Sequence, residues 1–342
     1  MIKGFSKYSE KIEILNKLKF LGAMVPSLML LVCLCAKNVG AQAVDISAWL
    51  EILKNEAIKK DIRVSTFERA LSNFKPIQRV IDLDRRQPEF TLTFDQYLRR
   101  VVPKQRVIRG RGKLTKHKML LNEIGKTYGV QPRFIVALWG VETDFGRIDG
   151  GFPVIHALAT LAIDGRRSKF FRSQLITAIR ILDQGHITLD RMRGSWAGAM
   201  GNFQFMPSSF VSFAIDYDND GKRDIWQNKN DSFASAANYL SKSGWRNDQT
   251  WGREVRIPKI FDKNLVGLKN RKNISEWRKL GVLRVDGGDL PKRNLMGSLV
   301  MVNGTNSRIF LTYSNYLTIL KWNRSNFFAV AVGTLAEKIG RK

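Results

Sequence analysis

The chain has 342 residues, of which 44% are hydrophobic and 25% are charged. This composition excludes disordered and fibrous proteins and supplies enough apolar material for a sizeable core. The formal net charge of +27 favours a polyanionic partner, which is nucleic acid, anionic lipid or an acidic cell-wall polymer.

An N-terminal leader is predicted over residues 1–43. Lysines precede an apolar run at 21–36, and small residues at 41–43 offer a cleavage site, an order typical of a secretory signal peptide. The run is short for a membrane span, so a retained anchor is the weaker interpretation. Both cysteines, Cys33 and Cys35, lie inside the leader, so its removal excludes disulfides and cysteine-ligated metals. Bulky residues before each cysteine favour a soluble exported protein over a lipoprotein.

The remaining chain is still strongly basic. The leader contains six lysines and two glutamates, a net +4, which leaves +23 for the rest. Charge alone would favour nucleic acid, but export and the lack of any nucleic-acid-binding motif weigh against it. We therefore expect no nucleic-acid partner.

Residues 44–115 are predicted to form an N-terminal helical subdomain. Apolar residues recur at helical spacing between positions 46 and 81, which indicates two short amphipathic helices. The stretch 104–118 is rich in arginine and lysine, and such a run is usually the solvated face of a helix. We therefore assign it no chemistry.

A second helical region is predicted over residues 116–250. One helix ends at Gly129, and Pro132 suits the first turn of the next helix. Further helices are expected at 172–182 and 232–243.

The residue composition changes at residues 251–308. Short stretches of valine, isoleucine and leucine lie among many glycines, prolines and asparagines, which predicts a small β-containing subdomain. The helical pattern returns at 316–339, within a C-terminal helical segment at 309–342. The fold class is therefore mainly α, with a small β part (α+β).

One glutamate lies on an apolar helix face. Helical spacing aligns Glu142 with Phe134, Ile135 and Leu138. Burial disfavours the ionised form of a carboxylate, which suits a general acid at neutral pH. The alternative is an ordinary helix-end glutamate that reaches water or pairs with Arg147.

The neighbouring carboxylate is not an evident partner for Glu142. Asp144 is two residues away and projects from a different side of the helix, so it is expected to cap a turn or to pair with an arginine. Glycosidases ordinarily use two carboxyl groups. A site built on one needs its second function from elsewhere, such as a group on the substrate.

A glycine-rich segment lies at 194–210, with the sequence GSWAGAMGNFQFMPSSF. Its small residues allow the backbone to approach another surface, where Ser195 and Gln204 can form hydrogen bonds. Taken alone, the segment fits a tight helix-packing motif equally well.

Four motifs occur in order over more than a hundred residues: ALWGVETDFG at 137–146, GSWAGAMGNFQFMPSSF at 194–210, DYDNDGKRDIW at 216–226 and ANYLSKSGW at 237–245. Together they closely resemble the membrane-bound lytic transglycosylase B family. Weaker similarity extends from QPEFTLTFDQYL at 87–98 to KWNRSNFFAVAVGTLAEKI at 321–339. The resemblance implies a lysozyme-like core with a helical subdomain and a small β subdomain around a deep glycan groove.

The resemblance also implies roles for individual residues. The glutamate of the WGVET-like motif is the catalytic acid/base in that family, which corresponds to Glu142. Ser195 and Gln204 would position the substrate. The other groove residues implied by the motifs are Tyr97, Arg166, Arg167, Tyr239 and Asn323. Trp322 and Phe328 stand where tyrosines are common, which keeps a stacking surface for sugars but removes hydroxyl donors.

A calcium loop is suggested by three alternating aspartates and a glycine, which match the opening of an EF-hand loop: Asp216, Asp218, Asp220 and Gly221. The twelfth position is Gln227 rather than glutamate. In the resembled family a more distant acidic residue closes a longer loop at 216–231, and the matching residue is Asp231. The backbone carbonyl of Lys222 would add a ligand. The alternative is an aspartate-rich turn without metal.

By the resemblance, the protein is expected to be a periplasmic lytic murein transglycosylase that acts on peptidoglycan glycan strands. Glu142 would protonate the bond between N-acetylmuramic acid and N-acetylglucosamine, and then deprotonate the muramyl C6 hydroxyl, leaving a 1,6-anhydromuramyl end. The chemistry requires no cofactor; calcium would be structural. The alternatives are a hydrolytic muramidase on the same fold and a non-catalytic peptidoglycan-binding scaffold.

Overall fold

The computed structural model describes residues 45–86, 92–302 and 308–341. The predicted leader at 1–43 lies outside the described residues, as does the beginning of the QPEFTLTFDQYL motif at 87–91. Within the described residues, no helix combines the length and the apolar character needed to cross a membrane.

The described chain is mainly helical. In chain order the helices are α1 Ile46–Ile58, α2 Val64–Ala70, α3 Gln78–Arg86, α4 Phe94–Val101, α5 Lys104–Lys116, α6 Lys118–Tyr128, α7 Pro132–Thr143, α8 Val154–Ile163, α9 Ser168–Asp183, α10 Pro207–Phe213, α11 Lys229–Lys242, α12 Ile274–Lys279, α13 Ser314–Trp322 and α14 Asn326–Gly340.

The strands are short and antiparallel. They are β1 Phe152–Pro153, β2 Arg193–Gly194, β3 Gly252–Arg256, β4 Lys272–Asn273, β5 Leu283–Arg284, β6 Met296–Met301 and β7 Ile309–Thr312. Strands β1 and β2 pair with each other, whereas the other five form one sheet in the order β4-β6-β7-β3-β5.

Helix α7 lies at the centre of the helical part. Its N-terminus follows the sequence signals: Gly129 ends α6 in the left-handed region (φ 67°), and Pro132 occupies the first turn of α7. Every residue from Phe134 to Gly140 is buried, and α5, α6, α11 and α14 pack around the helix. A helix that is apolar on all sides has to lie inside the protein, and α7 does so.

Two hydrophobic clusters organise the chain. The larger one contains buried residues from α1, α7, α9, α11 and α14, so the predicted regions 44–115 and 116–250 share one core. The smaller one surrounds Trp277 and Leu311 in the sheet region. That region extends beyond the predicted boundary at 308, because β7 continues to Thr312 as the partner of both β3 and β6.

The predicted C-terminal helix at 316–339 consists of two helices. Asn323 adopts an extended conformation (φ −143°) and ends α13, and the side chain of Ser325 accepts a hydrogen bond from the backbone N–H of Phe328 at the start of α14. This serine cap satisfies a backbone donor at the start of the second helix. The apolar periodicity continues across the break, which is why the sequence alone suggested a single helix.

Close packing in α14 gives a testable consequence. A β-carbon on Gly333 would lie 2.2 Å from two ring atoms of Trp251, a side chain that is only 3% exposed. We expect Gly333→Ala to lower the free energy of unfolding by about 1–3 kcal/mol, because the core has no room for the methyl group. The matched control is Gly112→Ala in α5, where nothing lies within 4 Å. It should raise the free energy of unfolding by about 0.5–1 kcal/mol through helix propensity. Urea unfolding measures both changes, and equal effects at the two sites would contradict this packing.

Candidate active site

Glu142 lies in the last turn of α7, where the helix leaves the core. Its side chain is partly exposed, although the residues from Phe134 to Gly140 are buried. Beyond it the backbone enters the left-handed region at Asp144, Phe145 and Gly146, with φ values of 49°, 65° and 78°. This sharp reversal ends the helix one residue after Glu142. The carboxylate therefore lies at the boundary between the apolar interior and solvent.

Four aromatic residues, which we call the aromatic cluster, pack together at Trp322, which contacts Glu142: Phe203, Phe205, Tyr239 and Trp322. The Trp322 indole Nε1–H donates a 2.8 Å hydrogen bond to Glu142 Oε1. The ring centroid of Trp322 is 4.5 Å from that of Tyr239 and 5.3 Å from that of Phe205. The Tyr239 hydroxyl donates to the carbonyl of Lys321 (2.8 Å), and burial raises the pKa of this hydroxyl. The structure thus brings three predicted site residues together: Glu142, Tyr239 and Trp322.

Asp144 is held by arginines, as one of the two sequence alternatives expected. The residue is 6% exposed, and its carboxylate lies 3.0 Å from Arg106, 2.8 Å from Arg109 and 2.9 Å from Arg147. Burial would raise the pKa of Asp144, but hydrogen bonds from Arg109 and Arg106 outweigh it and hold the pKa below its ordinary value. Arg147 therefore pairs with Asp144.

The interpretation of 104–118 as a solvated face is only half right. The exposed side of α5 contains Lys104, Arg111 and Lys116, whereas Arg106 and Arg109 face inward and bind the end of the Glu142 helix. A helix has two sides, and the run of basic residues does not distinguish them.

The glycine-rich segment folds back on itself beside the aromatic cluster. The N–H of Ser195 donates to the carbonyl of Ala199 (2.8 Å), and the N–H of Ala199 donates to Ser195 Oγ (3.0 Å). Met200 and Phe205 then exchange two backbone hydrogen bonds. Gln204 adopts φ 50° and donates its amide to the carbonyls of Asp149 (3.2 Å) and Gly201 (3.1 Å). Ser195 and Gln204 are both partly exposed. Gln204 directly precedes Phe205, whose ring packs against that of Trp322.

Sequence analysis missed Asn202, which ties this segment to α7. Its Oδ1 accepts a hydrogen bond from Trp139 Nε1 (2.9 Å), and its backbone carbonyl accepts one from Thr143 Oγ1 (2.8 Å), next to Glu142. Its Nδ2 donates to the carbonyls of Ile225 and Trp226. Asn202 is 3% exposed. The available signal is an asparagine between apolar residues in the run AMGNFQF, because a buried polar residue has to find partners.

Arg166 and Arg167 are tied to α3. Both guanidinium groups contact Asp84, which is fully buried, at 3.4 Å and 2.9 Å. Each arginine side chain remains about half exposed, at 47% and 48%. The contacts anchor the turn before α9, and the exposed halves remain accessible to a ligand.

The remaining predicted groove residues have different outcomes. Phe328 is 4% exposed and belongs to the core, which corrects its assignment as a sugar-stacking surface. One helical position away, Phe327 is partly exposed and packs 5.6 Å from Tyr97. Asn323 is exposed directly after Trp322, and its Oδ1 accepts a hydrogen bond from the N–H of Ser325 (3.0 Å).

The acidic loop brings together the side chains of Asp216, Asp218, Asp220 and Asp231, with ligand oxygens within 4.8 Å of one another. Asp231 is fully buried. Burial is the largest cause that raises the pKa of Asp231 to about 6; the charges of Asp218 and Asp216 also raise this pKa, while backbone hydrogen bonds from Tyr217 and Asp224 lower it. An all-oxygen set that crowds negative charge fits a hard cation such as Ca²⁺. The N–H of Lys222 donates to Asp220 Oδ1 (2.8 Å), while its carbonyl stays a predicted ligand.

Comparisons with known proteins identify the family of the chain. Residues 45–337 match the family described as Transglycosylase SLT domain. The Membrane-bound lytic murein transglycosylase B of Escherichia coli (strain K12) is 32% identical over 230 residues, 64% of this chain and 60% of that protein. The match thus spans less than two thirds of this curated relative.

Solved structures give the same result. SltB3 from Pseudomonas aeruginosa in complex with NAG-NAM-pentapeptide is 41% identical, with a TM-score of 0.84 over 86% of this chain and 80% of that chain. The Escherichia coli lytic transglycosylase Slt35 in complex with calcium is 26% identical, with a TM-score of 0.71 over 85% of this chain and 92% of that chain. These matches confirm the predicted fold class and the family resemblance.

The arginine cluster around Asp144 predicts a pH-dependent contribution to stability. We expect Asp144→Asn to lower the free energy of unfolding at pH 7 by about 2–3 kcal/mol, less than for a fully sealed pair because Arg109 and Arg147 reach solvent. Since the folded-state pKa is depressed, this contribution is present above the unfolded-state pKa and is lost as the pH falls through the folded-state pKa. The control is Asp164→Asn, which removes one pair with the exposed Arg85 and should cost under about 1 kcal/mol. Denaturant unfolding at neutral and acidic pH tests this, and an Asp144→Asn effect that persists at low pH would contradict the ionic origin.

Proposed function

Since the chain belongs to the family of transglycosylase SLT domains, we propose that it cleaves the β-1,4 bond between N-acetylmuramic acid and N-acetylglucosamine in peptidoglycan and forms 1,6-anhydromuramyl ends. The observation that carries the proposal is the contrast between two nearby carboxylates. Asp144 is occupied by three arginines, whereas Glu142 lies partly exposed at the aromatic cluster. Chemistry with a single acid/base suits this arrangement.

The proposed reaction uses Glu142 twice. As an acid, Glu142 donates its proton to the glycosidic oxygen while the bond from that oxygen to the muramyl C1 breaks. As a carboxylate, it then takes the proton of the muramyl C6 hydroxyl, whose oxygen forms the new bond to C1. The enzyme returns to its starting protonation state and consumes no water. The acetamido group of the substrate can stabilise the cationic C1, which supplies the function of a second carboxylate.

The surroundings of Glu142 suit a glycan strand. The exposed edges of Trp322 and Tyr239 offer apolar surface, and Ser195, Gln204 and Asn323 offer hydrogen-bonding groups. The complex of SltB3 with NAG-NAM-pentapeptide supports the same substrate class for this chain. Arg166 and Arg167 would attract the acidic groups of muramyl peptides. Tyr97, beside Phe327, would extend the same surface.

The proposed place of action is the periplasm. The support is the leader pattern over residues 1–43 together with the substrate class. We favour a soluble form over a lipid-anchored form, because the residues before the cysteines are bulky.

We also propose that the acidic loop binds Ca²⁺ and acts structurally. Its support is the convergence of four aspartate carboxylates and the chemistry of that donor set. The related Slt35 has been solved in complex with calcium. The residues that would hold the ion are Asp216, Asp218, Asp220, Asp231 and the carbonyl of Lys222.

Digestion of purified peptidoglycan tests the reaction. We expect muropeptides that are lighter than hydrolytic products by about 18 mass units per cleavage, because an intramolecular attack by C6 replaces water. Glu142→Gln should fold normally and lose nearly all turnover, since the amide preserves shape but cannot transfer the proton. Mass analysis in water labelled with ¹⁸O distinguishes the alternatives. Reducing ends that carry the label would identify a hydrolytic muramidase, and binding without any product would identify a scaffold.

Thermal unfolding tests the calcium site. Calcium at a hundredfold excess over its dissociation constant should stabilise the fold by about 2.7 kcal/mol, because only the folded state assembles the ligands. Asp218→Asn should remove much of this response. Asp286→Asn, in a turn of the sheet region, is the control and should leave it intact. Identical melting curves in millimolar calcium and in chelator would rule out a stabilising site.

A further inference from the structure

Trp322 makes a contact with Glu142 that the stacking role does not explain. The two residues are 180 positions apart and lie on different helices, and the indole Nε1–H is directed at Glu142 Oε1 at 2.8 Å. An indole N–H can donate but cannot accept. A hydroxyl at this position, as a tyrosine would supply, could do both.

The indole is fixed by its neighbours. Tyr239 packs against it at 4.5 Å, Phe205 at 5.3 Å and Phe203 at 6.3 Å. The end of α13 is also anchored, because the carbonyl of Lys321 accepts the Tyr239 hydroxyl and Lys321 Nζ donates to the carbonyl of Ser243 (2.8 Å). The donor is therefore held in position before any substrate arrives.

We propose that Trp322 is a positioning residue. Its indole N–H, which can donate but not accept a hydrogen bond, fixes the carboxylate of Glu142 and favours the ionised form. A hydrogen bond to an ionised acceptor is stronger than one to a neutral acceptor, so a permanent donor favours the carboxylate over the acid. In the proposed reaction this favours the second step, in which Glu142 accepts the C6 proton. The inference rests on the proposed function. It states that Trp322 contributes to the pH range in which the enzyme is active.

Seven charged groups on or beside the elements packed around α7 have partners other than Glu142. Arg106 and Arg109 of α5 and Arg147 bind Asp144; Lys113 of α5 and Lys229 of α11 lie over the Trp139 ring; Tyr217 donates to Glu123 of α6; and Thr250 donates to Glu337 of α14. A substitution at Trp322 leaves these groups in place. A change in the pH profile of such a variant therefore reports the indole hydrogen bond.

The test compares Trp322→Phe and Trp322→Tyr with the parent enzyme on a purified glycan strand of defined length. Activity that needs protonated Glu142 declines at the alkaline side as the pH rises. Removal of the donor in Trp322→Phe should move this alkaline limb upward by about one pH unit, because the ionised form loses its partner. The value of kcat should fall about tenfold through lost orientation, with KM little changed. Trp322→Tyr keeps a ring and a hydroxyl donor and should show a smaller shift.

The matched control is Trp245→Phe. Its indole donates a hydrogen bond of the same 2.8 Å length to Gln131 Oε1, outside the proposed site. This variant should lose stability but keep the alkaline limb of the parent enzyme. A limb that does not move in Trp322→Phe, or a change confined to KM, would overturn the proposal. An absence of anhydro products with the parent enzyme would instead refute the proposed function, so the two failures are distinguishable.

Discussion

The geometry of the site depends on how one buried helix ends. Helix α7 is buried from Phe134 to Gly140, and Glu142 reaches the surface because the helix ends directly after it. The stop is a left-handed turn at Asp144, Phe145 and Gly146, a conformation that costs free energy at the two residues that are not glycine. The arginines of α5 hold the Asp144 carboxylate, and Phe145 packs 5.7 Å from Trp139, so tertiary contacts stabilise the strained turn. Glu142 owes its position to this turn.

Two carboxylates two residues apart therefore have different surroundings. Asp144 is surrounded by guanidinium groups, its pKa is depressed, and its charge serves to anchor the backbone. Glu142 has the indole of Trp322 as a neutral partner and faces the aromatic cluster. The environment decides which carboxylate can exchange a proton during a reaction, since a group bound by several cations is difficult to protonate. Both groups are carboxylates, so the residue type alone would not show which of them can exchange a proton.

Much of this site could be predicted from sequence, and the exceptions share a cause. The boundaries at Gly129 and Pro132 and the alternating aspartates at 216–220 follow from local patterns, whereas the choice of Glu142 and Asp231 rested on the family resemblance. Local patterns do not show which side of an element faces the core: Arg106 and Arg109 were assigned to a solvated face, and Phe328 was assigned to the groove although Phe327 is the partly exposed neighbour. The hydrogen bond from Trp322 to Glu142 joins residues 180 positions apart, and periodicity carries no information about such a pair.

The connections around Glu142 also explain why the glycine-rich segment needs its small residues. Gly194 lies so close to Gly150 that a β-carbon on Gly150 would be 2.1 Å from the Gly194 carbonyl carbon, and this close approach holds the Ser195 turn in place. Asn202 then links the segment to Trp139 and Thr143 of α7 through side-chain and backbone hydrogen bonds. Hydrogen bonds therefore join the segment to α7, and α13 contributes Trp322 from the far end of the chain. A Glu142 held by these contacts suits the proposed reaction, whose nucleophile belongs to the substrate, because the gain from proximity depends on the two reacting groups being held in one geometry.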